Sequence, residues 1–285
     1  MTSKDLFRTL AWRGSRAIAH KCGIFSDVCF SLASIYVRSY NNLNYDMASN
    51  GELAILDKLA KSQFSTIFDV GANVGEYSLA CSERMPSAMV HAFEIALPTF
   101  RVLSDKIGAQ KNITIHNVGL SDRCEEVEVF YNREHDGASS MVCGVSGIHP
   151  EKIDVLKCRV ITGDDYCSLN RIESIDLLKI DVEGAENLVL KGFSGMFAKG
   201  AISCVQFEFG LANIYSRFLL NDFWHFLSGC GFELGPIMPD GVVFKNYDPR
   251  DENFEGAPNY FAIQRKRQDL IHAVRSSRRV GRQRA

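Results

Sequence analysis

The stretch from Thr66 to Ser78, TIFDVGANVGEYS, constrains this chain more than any other. Ile67, Phe68 and Val70 form a short apolar run with Asp69 near its end, the pattern of a strand buried on both faces of a parallel sheet. Gly71 and Gly75 follow, and then helical spacing through Tyr77, Leu79 and Ala80. Strand, glycine turn and helix in that order make a ligand-binding βα junction. Gly71 can take left-handed backbone angles, and neither glycine has a side chain to block a ligand. The first N–H groups of the helix face the same space. The G-x-x-x-G spacing departs from the dinucleotide fingerprint G-x-G-x-x-G, which argues against a nicotinamide-dependent oxidoreductase.

The same rhythm recurs along the chain. Asn50 to Leu59 has an N-cap residue and helical apolar spacing. Ala88 to Phe93 reads as a second strand ending in Glu94, one βαβ step beyond Asp69, and such a carboxylate suits ribose hydroxyls. Pro98 opens a helix towards Ile107, Ile113 to Val118 is a third strand, and Ser121 and Asp122 lie in the turn after it. Val127 to Tyr131 alternates like an edge strand, and Val155 to Ile161 is another short one. The polar stretch from Asn132 to Pro150 between them is long enough to be a lid or binding loop. Ile172 to Asp181 is a second buried strand ending in a carboxylate, with Glu183 and Glu186 in the turn that follows. Ala201 to Phe209 carries Glu208, Tyr215 to Leu227 reads as a helix, and Phe232 to Phe244 and Asn259 to Ile263 close the sheet. The pattern predicts an α/β fold, a mostly parallel sheet with helices on both faces. Ligands then bind beyond the carboxyl ends of the strands, where Asp69, Glu94, Asp181 and Glu208 converge.

At 285 residues, 46% hydrophobic and 23% charged, the chain suffices for one sizeable core with appendages. Nine cysteines without a C-x-x-C pair point away from zinc clusters and disulfide frameworks, and towards a reducing, cytoplasmic setting. The apolar run from Gly23 to Val37 is shorter than the about 20 residues of a membrane span and contains Asp27. Residues 5–45 read as one or two amphipathic helices packed on the main domain as a cap, with membrane-surface or partner binding as the other reading. Residues 264–285 carry eight Lys or Arg against Asp269, a net +7 that leaves about −9 for the rest of a chain of net −2. With few apolar residues, this tail reads as a frayed helix or disordered chain.

FDVGANVGEYS, HAFEIALPTFRVL, NVGLSD, TGDDYC, IDLLKIDVEGAENLVLKG and VQFEFG resemble, in the same order, the blocks of the FkbM family of S-adenosylmethionine-dependent methyltransferases. The resemblance covers roughly residues 50–210, with a weaker echo in NYFAI. It implies the class I methyltransferase fold, a Rossmann-like sheet of seven strands with the last antiparallel, and O-methylation of sugars, glycolipids or secondary metabolites. It divides the chain into a helical extension (1–49), a methyltransferase domain (50–264) and the basic tail (265–285). Carried over, Asp69, Gly71, Asn73 and Gly75 would cradle the amino-acid part of the cofactor, and Glu94 its ribose. Ser121 and Asp122 would approach the adenine edge. Ile95, Gly119 and Gly163 depart from the usual proline, alanine and leucine of the family.

For such a reaction an acceptor oxygen must be oriented and relieved of its proton. Asp181, at the end of the central strand, is the first candidate, then Glu183 and Glu208. Competing structural readings put Glu183 and Glu186 at a helix N-terminus as favourable charges and Glu208 in a buried pair. His116 and His135 are possible bases, although a lone histidine on a strand is more often structural. A divalent metal among the carboxylates is possible, but no ligand spacing demands one. The expected partner is a small-molecule or glycan acceptor. The alternative is an inactive module that docks on RNA through Arg275, Arg278, Arg279, Arg282 and Arg284. The acidic body and the lack of interleaved aromatics weigh against nucleic acid.

Overall fold

A computed structural model describes residues 3–21, 23–134, 139–142, 152–254, 256 and 259–277. Its helices are α1 (Ser3–Ala19), α2 (Ile24–Tyr40), α3 (Met47–Asn50), α4 (Glu52–Leu59), α5 (Glu76–Arg84), α6 (Leu97–Ile107), α7 (Gly163–Leu169), α8 (Glu186–Gly192), α9 (Ser194–Ala198), α10 (Ala212–Ser216), α11 (Leu220–Gly229) and α12 (Gln268–Val274). The strands are β1 (Thr66–Val70), β2 (Met89–Phe93), β3 (Ile113–His116), β4 (Gly119–Ser121), β5 (Glu125–Asn132), β6 (Ile153–Thr162), β7 (Ile175–Ile180), β8 (Ile202–Glu208), β9 (Phe232–Met238), β10 (Gly241–Val242) and β11 (Asn259–Gln264).

The main sheet has the order β10-β9-β11-β8-β7-β1-β2-β3. β3, β2, β1, β7 and β8 run parallel, while β11 inserts antiparallel between β8 and β9. This is the expected seven-stranded arrangement, lengthened by the two-residue β10. Alternate residues of β1 serve opposite faces. Ile67 joins a cluster with Ile55, Leu56, Val90 and Ile263, and Phe68 and Val70 join one with Phe93, Phe193 and Phe207. The chain order reverses between β1 and β7, so their carboxyl ends open the crevice.

Several elements differ from the sequence reading. The edge-like segments around Val127 and Val155 pair with each other, and with β4, in a separate sheet of order β4-β6-β5. The helix expected over Tyr215–Leu227 is broken in two, with Arg217 left-handed at φ 56° between α10 and α11. The strand expected over Phe232–Phe244 turns back on itself as β9 and β10. The tail is not frayed over α12: Leu270, Ile271 and Val274, at helical spacing, are buried against the cluster that contains Ile55 and Leu56. Arg278, Arg279, Arg282 and Arg284 lie outside the described residues, as does His135. The N-terminal helices do not cap the domain. α2 buries no residue, and the described side chains of α1 are exposed throughout.

Candidate active site

At the carboxyl ends of β1, β2, β7 and β8 lies a cavity of about 240 Å³. Gly71, immediately after β1, forms part of its wall at φ 83°. A Cβ there would lie 1.8 Å from the Asp181 carbonyl oxygen, so close approach of β1 and β7 requires glycine. Asn73 follows with the positive φ of 46°, and its backbone N–H donates to Glu94 Oε2 at 3.1 Å. The Glu94 Oε1 atom accepts from the Ala96 N–H at 2.8 Å. The carboxylate at the end of β2 is thus fixed by its own turn and by that of β1. Asn73 Oδ1 is buried without a hydrogen-bond partner among the described residues.

On the other side of β1, Asp181, Glu183 and Glu208 line the same cavity. One carboxylate oxygen from each lies within 4.8 Å of the others, a cluster able to share protons or hold a cation. Glu183 sits at φ 52°, and burial, then Asp181 and Glu186, push its pKa up to about 8. Burial followed by the charges of Asp181 and Glu183 raises Glu208 as well. Glu186 does not join the cluster's rim. It closes the turn by accepting from the N–H groups of Val182 and Gly184 at 3.2 and 3.0 Å, and burial moves its pKa up to about 7.

Of the other sequence candidates, Asp69 lies beneath the cavity rather than in its wall. It is fully buried, accepts from Ser78 Oγ at 2.6 Å, and has Lys179 Nζ 3.7 Å from its second oxygen. Burial raises its pKa, opposed by Lys179 and Ser78. Gly75 gives room to Leu103 and Ile107, whose side chains would be 2.7 and 2.6 Å from a Cβ there. Ser121 and Asp122 face a neighbouring shallow cavity, whereas Gly119 and Leu120 line the main one. His116 bonds to Tyr166 Oη at 2.8 Å and lies outside the cavity lining. Of the loop expected over Asn132–Pro150, Ser139, Ser140 and Met141 contribute to the cavity wall.

Sequence reasoning missed Lys179 and Tyr45. Lys179 is buried and donates to Asp181 Oδ2 at 2.9 Å. Burial would lower its pKa, but Asp181, Asp69 and Glu52 together raise it. A lysine inside the apolar run IDLLKID was the available signal. Tyr45 reaches the cavity from the segment after α2, and burial and then Glu208 raise its pKa. Arg275, the described member of the basic-tail set, places its guanidinium 5.0 Å from the centre of the Phe244 ring.

The strand order, the glycine turn after β1 and the carboxylate after β2 define a class I methyltransferase fold. Residues 69–234 match the family described as Methyltransferase FkbM domain, and the chain belongs to that family. It is similar to the 31-O-demethyl-FK506 methyltransferase FkbM of Streptomyces tacrolimicus, 30% identical over 161 residues, covering 44% of this chain and 58% of that one. It is also similar to the hexuronic acid methyltransferase AglP of Haloferax volcanii, 22% identical over 73% of this chain and 84% of that one. The crystal structure of a methyltransferase FkbM from Methylobacillus flagellatus superposes with a TM-score of 0.43 at 16% identity, covering 70% of this chain and 44% of that one. The chain spans 58% or 59% of the length of three curated relatives and 8% of a fourth.

Proposed function

We propose that this protein transfers a methyl group from S-adenosylmethionine to a hydroxyl of a small-molecule or glycan acceptor. The observation that carries the reading is one cavity shared by Glu94 and Asn73 on the β2 side of β1 and by Asp181, Glu183 and Glu208 on the β7 side. Family membership and the names of two relatives, which specify an O-demethyl compound and a hexuronic acid, support an oxygen acceptor on a polyol or sugar. In this reading residues 50–264 are the catalytic unit, flanked by the helical extension and the basic tail. The nine cysteines support a reducing, cytoplasmic setting.

The residues fit the cofactor. The unpartnered Asn73 Oδ1 is an acceptor awaiting a donor, and Gly71 lines the same cavity. Glu94 offers a carboxylate to ribose hydroxyls, and Asn73 and Gly71 border the space for the amino-acid moiety. When bound, S-adenosylmethionine supplies an already activated methyl group, so the protein need not build an electrophile.

What remains is orientation and proton transfer. Asp181, held from below by Lys179, accepts the proton of the acceptor hydroxyl, while Glu183 and Glu208 orient that hydroxyl and pass the proton on. A second reading is favoured by the convergence of three carboxylate oxygens within 4.8 Å of one another. Held there, a divalent cation would supply the charge that helps ionise the hydroxyl.

Calorimetry tests the assignment. S-adenosylmethionine and S-adenosylhomocysteine bind and NAD does not. Glu94→Ala weakens binding about tenfold or more, and Asp181→Ala keeps binding but loses turnover on a hydroxylated acceptor. Unchanged affinity in Glu94→Ala refutes the ribose contact, and full turnover in Asp181→Ala refutes the proton transfer. Turnover abolished by a chelator and restored by Mg²⁺ selects the cation reading.

A further inference from the structure

The two N-terminal helices are the largest feature that the catalytic reading leaves unused. In α1, Leu6, Phe7, Leu10 and Ile18 fall on one face at helical spacing, and Arg8, Arg13 and Arg16 fall on the other. α2 turns Ile24, Phe25, Val28, Leu32 and Ile35 to a common face, flanked on one side by Asp27, Ser31 and Arg38, and exposes Phe30 and Val37 on its opposite side as well. None of this apolar surface is covered: Phe7 is 73% exposed and Phe25 69%. A contiguous apolar patch of this kind marks an interaction site. Trp12, also exposed, lies between Arg8 and Arg16 on the polar face of α1.

Charge identifies the occupant. Residues 1–40 carry six Lys or Arg against two Asp, a net +4. With +7 on residues 264–285 and −2 overall, the intervening body carries −13. Pairing of these faces between two copies would set one +4 helix pair beside another, whereas an anionic surface complements it. A basic face beside an apolar face with aromatic residues is the composition of a helix that lies in a membrane interface. Among the described residues no helix is long and apolar enough to cross a membrane.

We propose that α1 and α2 form an interfacial anchor that seats this protein on the surface of an anionic lipid bilayer. The anchor leaves the domain beside the cavity. Asn42 Nδ2 donates to the carbonyls of Asn50 and Ile237 at 2.6 and 3.0 Å, fixing the chain just after α2, and Tyr45 then enters the cavity wall. Docking therefore brings the mouth of the site to the membrane surface.

Flotation of the full chain with vesicles tests the anchor, using phosphatidylcholine alone and phosphatidylcholine with about 30% phosphatidylglycerol. The expected result is binding to the anionic vesicles that declines with added salt. The double variant Phe7→Ser, Phe25→Ser lowers the partition coefficient about tenfold or more with an unchanged thermal melt, since both rings are exposed. It leaves the charge of both termini intact, so undiminished binding would assign the lipid contact to the basic tail and overturn the proposal. Binding to neither vesicle would overturn it too. So would a wild-type dimer that the variant dissociates and that binds no lipid, which would assign the face to a second copy.

Discussion

Lys179 Nζ lies 2.9 Å from Asp181 Oδ2 in the cavity wall and 3.7 Å from Asp69 Oδ1 beneath it, tying the ends of β7 and β1 together from below. Asp69 and Lys179 are direct neighbours in the sheet register, and Gln206 on β8 is next in line. The ammonium offsets part of the cost of burying Asp69 completely.

Lys179→Met therefore leaves Asp69 buried without its counter-charge. Urea unfolding at neutral pH should show a loss of about 3 kcal/mol or more. Without Lys179 the folded-state pKa of Asp69 rises further above the ordinary carboxyl value of 3.8. The folded state then retains the proton that the unfolded state releases, so the deficit grows as pH rises through that range and shrinks in acid. An equal deficit at all pH values would refute this account.

Gly119 and Ile95, two of the departures from the family pattern, depend on each other. A Cβ at Gly119 would stand 2.6 Å from Ile95 Cδ1, so the isoleucine occupies the space that an alanine would need. Both residues line the cavity. Gly119→Ala should push Ile95 into the site, costing about 1–3 kcal/mol of stability and weakening cofactor binding. Ile95→Val should relieve much of both effects, with a coupling of about 0.5–3 kcal/mol between the two sites. Additive effects in melting and calorimetry would show the pair to be independent.

The legible parts of this protein were those where local pattern and tertiary role coincide. β1, β2, β7 and β8 read as strands because burial on both faces leaves a mostly apolar run interrupted by single polar residues such as His91, Lys179 and Gln206, and their terminal carboxylates mark the crevice. Asp69 showed the limit of that logic. Its position at a strand end was correct, but Ile67 and Asp69 share a side chain direction, into the interior, and sequence does not say which strand-end carboxylate reaches the ligand. The Tyr77–Gln206–Glu52 chain of hydrogen bonds, 2.8 and 2.5 Å long, joins residues far apart in sequence and has no local signature. α12 was misread because composition outweighed the spacing of Leu270, Ile271 and Val274.

The acidic cluster makes a prediction about pH. Glu183 moves from 4.5 to about 8 on folding, through burial first and then Asp181 and Glu186. The folded protein holds a proton over that interval that the unfolded chain gives up, so stability falls as pH rises from about 4.5 towards 8. Glu183→Gln should flatten this branch in chemical denaturation of the cofactor-free protein. If the cluster takes the acceptor's proton, turnover moves the opposite way and rises with pH towards 8. A turnover that falls over the same interval would exclude that role.

A second, half-buried titrating group acts at lower pH. Tyr166 Oη lies 2.8 Å from both His91 Nδ1 and His116 Nε2; His116 and Tyr166 pack on Phe93, and His91 packs on Phe68. The hydroxyl has one proton to donate, so the ring that receives it must be neutral. Burial, and then the nearby His116, lower the His91 pKa from 6.5 to about 4. The unfolded chain therefore binds the extra proton first, and the stabilisation from a neutral His91 is complete above pH 6.5 and lost as pH falls towards 4. Tyr166→Phe should cost about 1–3 kcal/mol at neutral pH by leaving both rings without the hydroxyl. His91→Phe should remove most of the acid-side loss while retaining the ring packing against Phe68. An unchanged acid branch in that variant would assign the loss to other groups.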